Sequence, residues 1–438
     1  MSAAASGVEA ILSEVPLPRV AMARVQADHP HIEDVGRATI DALERGGLGG
    51  LLSAGARVAI AVGSRGIASL SAVVAATVAA ARAAGGAPIV FPAMGSHGGA
   101  TEEGQRHVLE ALGVTEETVG APVVSDMAVE RLATVRVADR EVPVCCARTA
   151  LEADATVLVA RVKPHTSFRA PYESGLMKMA AIGLGKQAGA EACHARGLGQ
   201  LADAVQAVGS EVLTRANVVA GLAILENADH QLAELELVPT SAIAEREPQL
   251  LARAWELYPS LPVEELDVLV LDEIGKDVSG TGFDTNVVGR YPDQSVMPAA
   301  AGRSVSRLVA LGLTAATGGN ANGMGMVDVT SRRLYERMSF VETYPNALTS
   351  TNTTMARVPM VMDSDRLALQ AAVHTSHAAG PLRMARIRNT LQPATLEVSE
   401  ALVDELTGRA GIEIGALQPP AFDSAGNLAP LSPAALRG

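Results

Sequence analysis

Aromatic residues are scarce, 3% of 438 positions, and basic residues are outnumbered 35 to 48, which leaves a formal net charge of −13. A surface short of both cations and stacking rings is a poor match for nucleic acid, whose binding rests on neutralised phosphates and stacked bases. Acidity also keeps a chain dispersed, so it says little about a site. Cysteine is rarer still. Cys145, Cys146 and Cys193 are an odd number with two adjacent, which makes no disulfide framework and suits a reducing compartment. Long apolar runs are missing too: although 48% of the residues are hydrophobic, no stretch approaches the roughly 20 uninterrupted apolar residues of a spanning helix. The opening MSAAASGVEAILSEVPLP carries Glu9 and Glu14 where an export signal would show basic residues and then an apolar block. The expected location is therefore the cytoplasm, with neither membrane nor nucleic acid as a partner.

What is present is an alternation. Short Val/Ile/Leu-rich runs at 58–62, 88–91, 155–160, 218–225 and 266–271, bounded by Gly or Pro, read as buried strands. Between them lie Ala-rich helical stretches at 69–84, 101–112 and 198–213. Thr101 before Glu102 and Glu103 has the form of a helix cap followed by carboxylates that suit the helix dipole. The pattern predicts an α/β fold of two domains, the larger N-terminal one built on a mainly parallel sheet. A charged helical stretch from Ser241 runs into the Pro-rich connection YPSLPVEE. The expected division is thus 1–262 for cofactor binding and catalysis, 263–416 for a smaller C-terminal α/β domain that closes a cleft over the active site, and 417–438 for a loosely packed tail.

In open α/β sheets ligands bind beyond the carboxyl ends of the strands, where helix N-termini present unpaired N–H groups. Three strands here end in conspicuous loops: Gly63-Ser64-Arg65-Gly66, Gly95-Ser96-His97-Gly98-Gly99, and Lys163-Pro164-His165. Arg65 sits in a turn where a guanidinium can grip a carboxylate or phosphate with two parallel hydrogen bonds. His97 lies in a Gly-rich turn where an imidazole can reach a bound anion. The most informative segment is KPHTSFRAPYESGLMKMAAIGLGKQAGAEACH, which gathers Lys163, His165, Arg169, Glu173, Lys178, Lys186 and His194. Lys178, flanked by Met177 and Met179 in an apolar run, is either paired, with Glu173 at hand, or an attachment point whose amine is made nucleophilic by desolvation. Cys193 is expected buried, and His194 is a ligand only if a partner is found. His374 and His377 have metal-like spacing on a helix but no third ligand in view.

Together the GSRG loop, the loop GSHGGATEEG, the KPH loop, the SGLMK run and the histidine after it resemble the nickel-dependent lactate racemase family over most of the chain. That resemblance implies nickel and pyridinium-3,5-bisthiocarboxylic acid mononucleotide, the nickel-pincer nucleotide. On the family's pattern Lys178 is the covalent tether, His194 the nickel ligand, and His97 and His165 the acid/base pair. Arg65 is then the carboxylate clamp, with Ser64, Gly175 and Lys186 also beside the cofactor. The implied activity is racemisation or epimerisation of a 2-hydroxy acid through a 2-keto acid, supported by proteins that build the cofactor. The chain departs from the family in its first loop, in Gly98 after His97, in a longer loop between His165 and Lys178, and in the second domain, where Gly289 and Arg290 stand in place of a glutamine/lysine clamp. These departures mark a divergent branch, and Arg169 with Arg290 would suit a larger or more polar acid. Two other readings stay open: a pincer-cofactor enzyme of different outcome, redox or elimination on a hydroxy acid, and a non-catalytic phosphate- or nucleotide-binding α/β protein in which Lys178 only pairs with Glu173.

Overall fold

The computed structural model describes residues 7–64, 66–195, 197–292, 303–350 and 352–431. Two compact units divide the chain: His29–Tyr258, and the residues from Pro259 onward together with those up to Asp28. The changeover falls inside the Pro-rich connection. The N-terminal segment, expected with the first domain, belongs to the second unit because strand β1 (Val20–Val25) pairs antiparallel with a strand near residue 397.

The unit His29–Tyr258 contains β2 (Arg57–Val62), β3 (Ala87–Pro92), the hairpin β4 (Val129–Val137) and β5 (Arg140–Ala147), β6 (Ala155–Arg161), β7 (Val218–Glu226) and β8 (Leu232–Pro239). Its sheet has the order β3-β2-β6-β7-β8, parallel except for β8. Strand side chains alternate between faces, and here both faces are apolar. Val58, Ile60 and Val62 pack under the helix Leu70–Ala83 in one core, while Ala59, Ala61, Leu158 and Ala160 face the helix Leu201–Arg215 in the other. Four of the five apolar runs of the sequence therefore mark strands of this sheet covered on two sides, and the fifth, at 266–271, is a strand of the second unit. The chain leaves β2 toward β3 and later returns to the other side of β2 as β6, so the strand order reverses between β2 and β6. Such a reversal opens a crevice at the carboxyl ends of the two strands.

The second unit has an eight-stranded sheet, order β12-β11-β10-β9-β13-β14-β1-β15. Its further strands are β9 (Glu265–Leu271), β10 (Ser304–Ala310), β11 (Val329–Ser331), β12 (Met360–Met362), β13 (Met384–Ile387), β14 (Thr395–Ser399) and β15 (Ile412–Ile414). Strands β12 through β13 in that order run parallel; the rest are antiparallel. The expected loose tail is instead fastened as far as residue 431. Gln418 bridges to Val20, the Leu428 N–H donates to Asp365, and Arg386 donates to the Ala429 carbonyl. Backbone bonds hold this segment, which is why no apolar period announces it. Among the described residues no helix is long and apolar enough to cross a membrane.

Candidate active site

The loops after β2, β3 and β6 carry the candidate residues. Ser64, two residues past β2, places its Oγ 3.0 Å from Nδ1 of His97, which follows β3. The loops after two adjacent parallel strands are thereby joined. His97 opens a short turn in which Gly98 and Gly99 both have positive φ, and Thr101 then caps the helix Glu102–Ala111 by accepting the Gly104 N–H, as its position before two glutamates predicts. Arg65 lies outside the described residues.

After β6 the chain makes a closed excursion, pinned where Lys163 and Ser174 exchange backbone hydrogen bonds at 2.8 and 3.2 Å. The carboxylate of Glu173, only 3% exposed, organises the excursion from inside. It accepts the His165 N–H at 2.6 Å, the Ala170 N–H at 3.3 Å and the Arg169 guanidinium at 3.2 Å. Burial raises its pKa, against the lowering pull of Arg169, those N–H groups and Lys178. The Ser167 N–H donates to Nδ1 of His165 at 3.1 Å, so the neutral imidazole carries its proton on Nε2. The His165 ring stacks on Phe168 at 4.3 Å, and the Lys178 ammonium stands 5.8 Å from the same Phe168 ring.

Lys178 closes a short helix, Leu176–Lys178, that continues as a π-helical turn, Met179–Gly183, with the Leu184 N–H reaching back to the Met179 carbonyl. Single π turns widen a helix locally and gather at functional sites. The helix Lys186–His194 follows. This stretch rests on the ends of β2 and β3: a Cβ at Gly95 would lie 2.8 Å from that of Ala190, and one at Gly183 would lie 2.9 Å from the Ala93 carbonyl. Glycine is needed at both for the backbones to approach.

Lys178 and His194, sixteen residues apart in sequence, share one neighbourhood. Burial first, and then the Lys178 charge, push the His194 imidazole down to about 4, so it is neutral at physiological pH. Cys193 is fully buried and its thiol is pushed up to about 12 by desolvation, as expected of a packing residue.

Other expected site residues have different places. Lys186 is 1% exposed, its ammonium donating to the Pro92 carbonyl at 2.6 Å and to Gln105 Oε1 at 3.0 Å; it braces the interior. Gly175 lies against a buried carboxylate, since a Cβ there would fall 2.2 Å from Glu247 Oε1. Arg169 binds Glu173 and the carbonyls of His165 and Phe168 and lies over the Trp255 ring at 4.7 Å. Arg290, in the second unit, donates to Asp328 at 2.5 Å and to the carbonyls of Met326, Val305 and Ser306. Both guanidiniums are engaged in the fold, so neither argues for a second acidic group on a substrate. Among the described residues no cluster of three or more His, Cys, Asp or Glu could cage a metal, and His374 and His377 have no third ligand.

Two buried polar residues were not anticipated, Gln105 and Glu247. Gln105 had one sequence signal: it stands four residues before Leu109, on the same buried face of its helix. Glu247 on the helix Thr240–Glu256 accepts the Met177 N–H at 2.7 Å, holding the start of the helix that bears Lys178.

The first unit is thus an α/β unit whose mainly parallel sheet reverses its strand order and carries charged loops on its carboxyl edge, and the second is also α/β. Residues 61–243 match the family model described as a domain of unknown function, DUF362, and no curated protein matches. Among solved structures, the lactate racemase apoprotein from Thermoanaerobacterium thermosaccharolyticum aligns with a TM-score of 0.52 at 14% identity, over 84% of this chain and 94% of that one. The chain thus has a mixed α/β fold similar to that apoprotein's, and at this identity the likeness is one of fold.

Proposed function

We propose that this chain interconverts the stereoisomers of a 2-hydroxy acid, with a nickel-pincer nucleotide tethered at Lys178 and its nickel ligated by His194. The observation that carries the reading is that those two side chains, sixteen positions apart, lie within electrostatic reach of each other; burial first, and then the Lys178 charge, keeps the imidazole neutral. A neutral imidazole is the form that ligates a metal. With no cluster of three protein ligands among the described residues, the donor set suits a metal that arrives already held and asks one nitrogen of the protein. When bound, that nucleotide supplies a hydride acceptor and donor, the redox part of the chemistry that side chains lack.

The protein's part is to move protons and orient the acid. His97 can donate Nδ1–H to Ser64, which makes Nε2 the unprotonated nitrogen that would take the substrate's hydroxyl proton. His165 is held the other way: with Nδ1 accepting from Ser167, its Nε2–H is set to give a proton to a substrate oxygen. A base and an acid from separate loops match what inversion requires, a proton removed from one isomer and returned to the other. Phe168 supports the His165 ring and lines the Lys178 side, lowering the local polarity. Arg65 is the proposed carboxylate clamp, by resemblance. Cofactor-building proteins are the implied partners, which places loading in the cytoplasm.

The test is to incubate nickel-loaded protein with single isomers of several 2-hydroxy acids deuterated at C2. Interconversion with deuterium kept at C2 is the expected result. Washout of deuterium to solvent would indicate proton abstraction instead, and a stoichiometric keto product would indicate net oxidation. No turnover of any acid by loaded protein would end the proposal.

A further inference from the structure

The loop that carries His97 hangs on two buried polar side chains from other parts of the chain. Lys186, 1% exposed, donates to the Pro92 carbonyl at 2.6 Å and to Gln105 Oε1 at 3.0 Å, with its ammonium 5.8 Å from the centroid of the Phe91 ring. Gln105, fully buried, turns its amide nitrogen to the carbonyls of Met94 at 3.0 Å, Gly95 at 2.9 Å and, at the limit, His97 at 3.5 Å. Four carbonyls between residues 92 and 97 therefore meet this pair just as the strand ends and ladder partners run out.

Burying an ammonium is costly, and apolar side chains of similar size often fill such a place more favourably. Lys186 in addition has a φ of +52°, in the left-handed region that lysine rarely adopts, so the surrounding structure holds it there against strain. A costly, strained pair whose hydrogen bonds end on one loop is the kind of arrangement that fixes geometry.

We infer that Lys186 and Gln105 are positioning residues that set the backbone of the 92–97 loop and thereby the His97 imidazole, coupling it to the helix that ends in His194. The inference rests on the proposed role of His97, but its test does not need cofactor. Gln105→Glu keeps the side-chain volume and turns the Lys186 contact into an ion pair, while removing the donors to Met94 and Gly95. Lys186→Met removes the ammonium and keeps the length. Histidine-selective isotope labelling of the apoprotein then reads the His97 ring resonances, with the exposed His107 on the same helix as internal control.

The expected result in either variant that unfolds cooperatively is a shifted or broadened His97 signal beside an unchanged His107. In loaded enzyme Gln105→Glu should lower kcat by about 100-fold with KM little changed, as for a small misplacement of a catalytic group. If Gln105→Glu does not fold, Gln105→Met provides the same readout. A folded variant with His97 resonances at wild-type positions overturns the inference. Shifted resonances in a protein that never turns over a hydroxy acid would leave the positioning role standing and reject the proposed activity instead.

Discussion

The Met177 N–H donates to the Glu247 carboxylate at 2.7 Å, one residue before Lys178 and deep in the core, where Glu247 is 1% exposed. Burial raises the Glu247 pKa to about 7, against the lowering pull of the Met177 and Leu176 N–H groups. The folded protein therefore keeps this proton up to a pH near 7, whereas an unfolded chain releases it near 4.5. The stability from this group is full below the unfolded value, declines as pH rises through the folded one, and levels above it, by about 3 kcal/mol in all. Glu247→Gln removes the charge and keeps an acceptor. The Tm of that variant relative to wild type should accordingly rise from pH 5 to pH 8, and a gap that does not change with pH would contradict the assignment.

Ser64 and His97 make a second testable pair. Ser64→Ala removes the hydroxyl beside Nδ1 and should lower kcat about tenfold, while His97→Ala and His165→Ala should each cost about 10²–10⁴. Nickel content should stay at the wild-type level in all three. Loss of metal from His97→Ala would move that residue from proton transfer to cofactor binding.

The fold was legible where the chemistry is local. Each of the five apolar runs falls within a strand, and the four in the first unit are covered on both faces, which leaves no polar alternation to confuse them. The three-residue strands β11, β12 and β15 are too short to show a period, and β1 finds its place by pairing with β14 and β15, far along the chain. For the candidate site only positions are legible in this way: Ser64, His97 and His165 stand on the loops that strand-then-loop order points to, whereas the proposed roles of Lys178 and His194 rest on resemblance. Gln105 and Glu247 meet their partners across 81 and 70 positions, a separation no local pattern encodes. Arg169 and Arg290 donate to backbone carbonyls in the structure, which sequence does not tell, because a guanidinium in a loop reads the same whether it grips a substrate or its own backbone.

Gly98 and Gly99 separate space from backbone strain in the His97 turn. Both have φ near +65°, but a Cβ at Gly98 would fall 2.3 Å from the Gly104 carbonyl carbon, whereas one at Gly99 meets nothing within 4 Å. Gly99→Ala should cost about 1 kcal/mol, the ordinary left-handed penalty. Gly98→Ala should cost at least about 2 kcal/mol more, because backbone must move. Equal losses in chemical denaturation would show that the turn is looser than described.

Arg290→Lys should act on the fold, since a single ammonium cannot replace a fork that reaches Asp328 and three carbonyls. A destabilisation of about 1–3 kcal/mol is expected, with substrate KM unchanged in loaded protein. A raised KM without loss of stability would return Arg290 to the substrate.

The most direct measurement is the intact mass and nickel content of the protein produced together with the enzymes that build the pincer nucleotide, beside Lys178→Ala and His194→Ala made the same way. One adduct, mapped by peptide mass to Lys178, with about one nickel per chain that His194→Ala loses, is the predicted outcome. An unmodified Lys178, or full nickel in His194→Ala, would contradict the claim that these two side chains hold one cofactor.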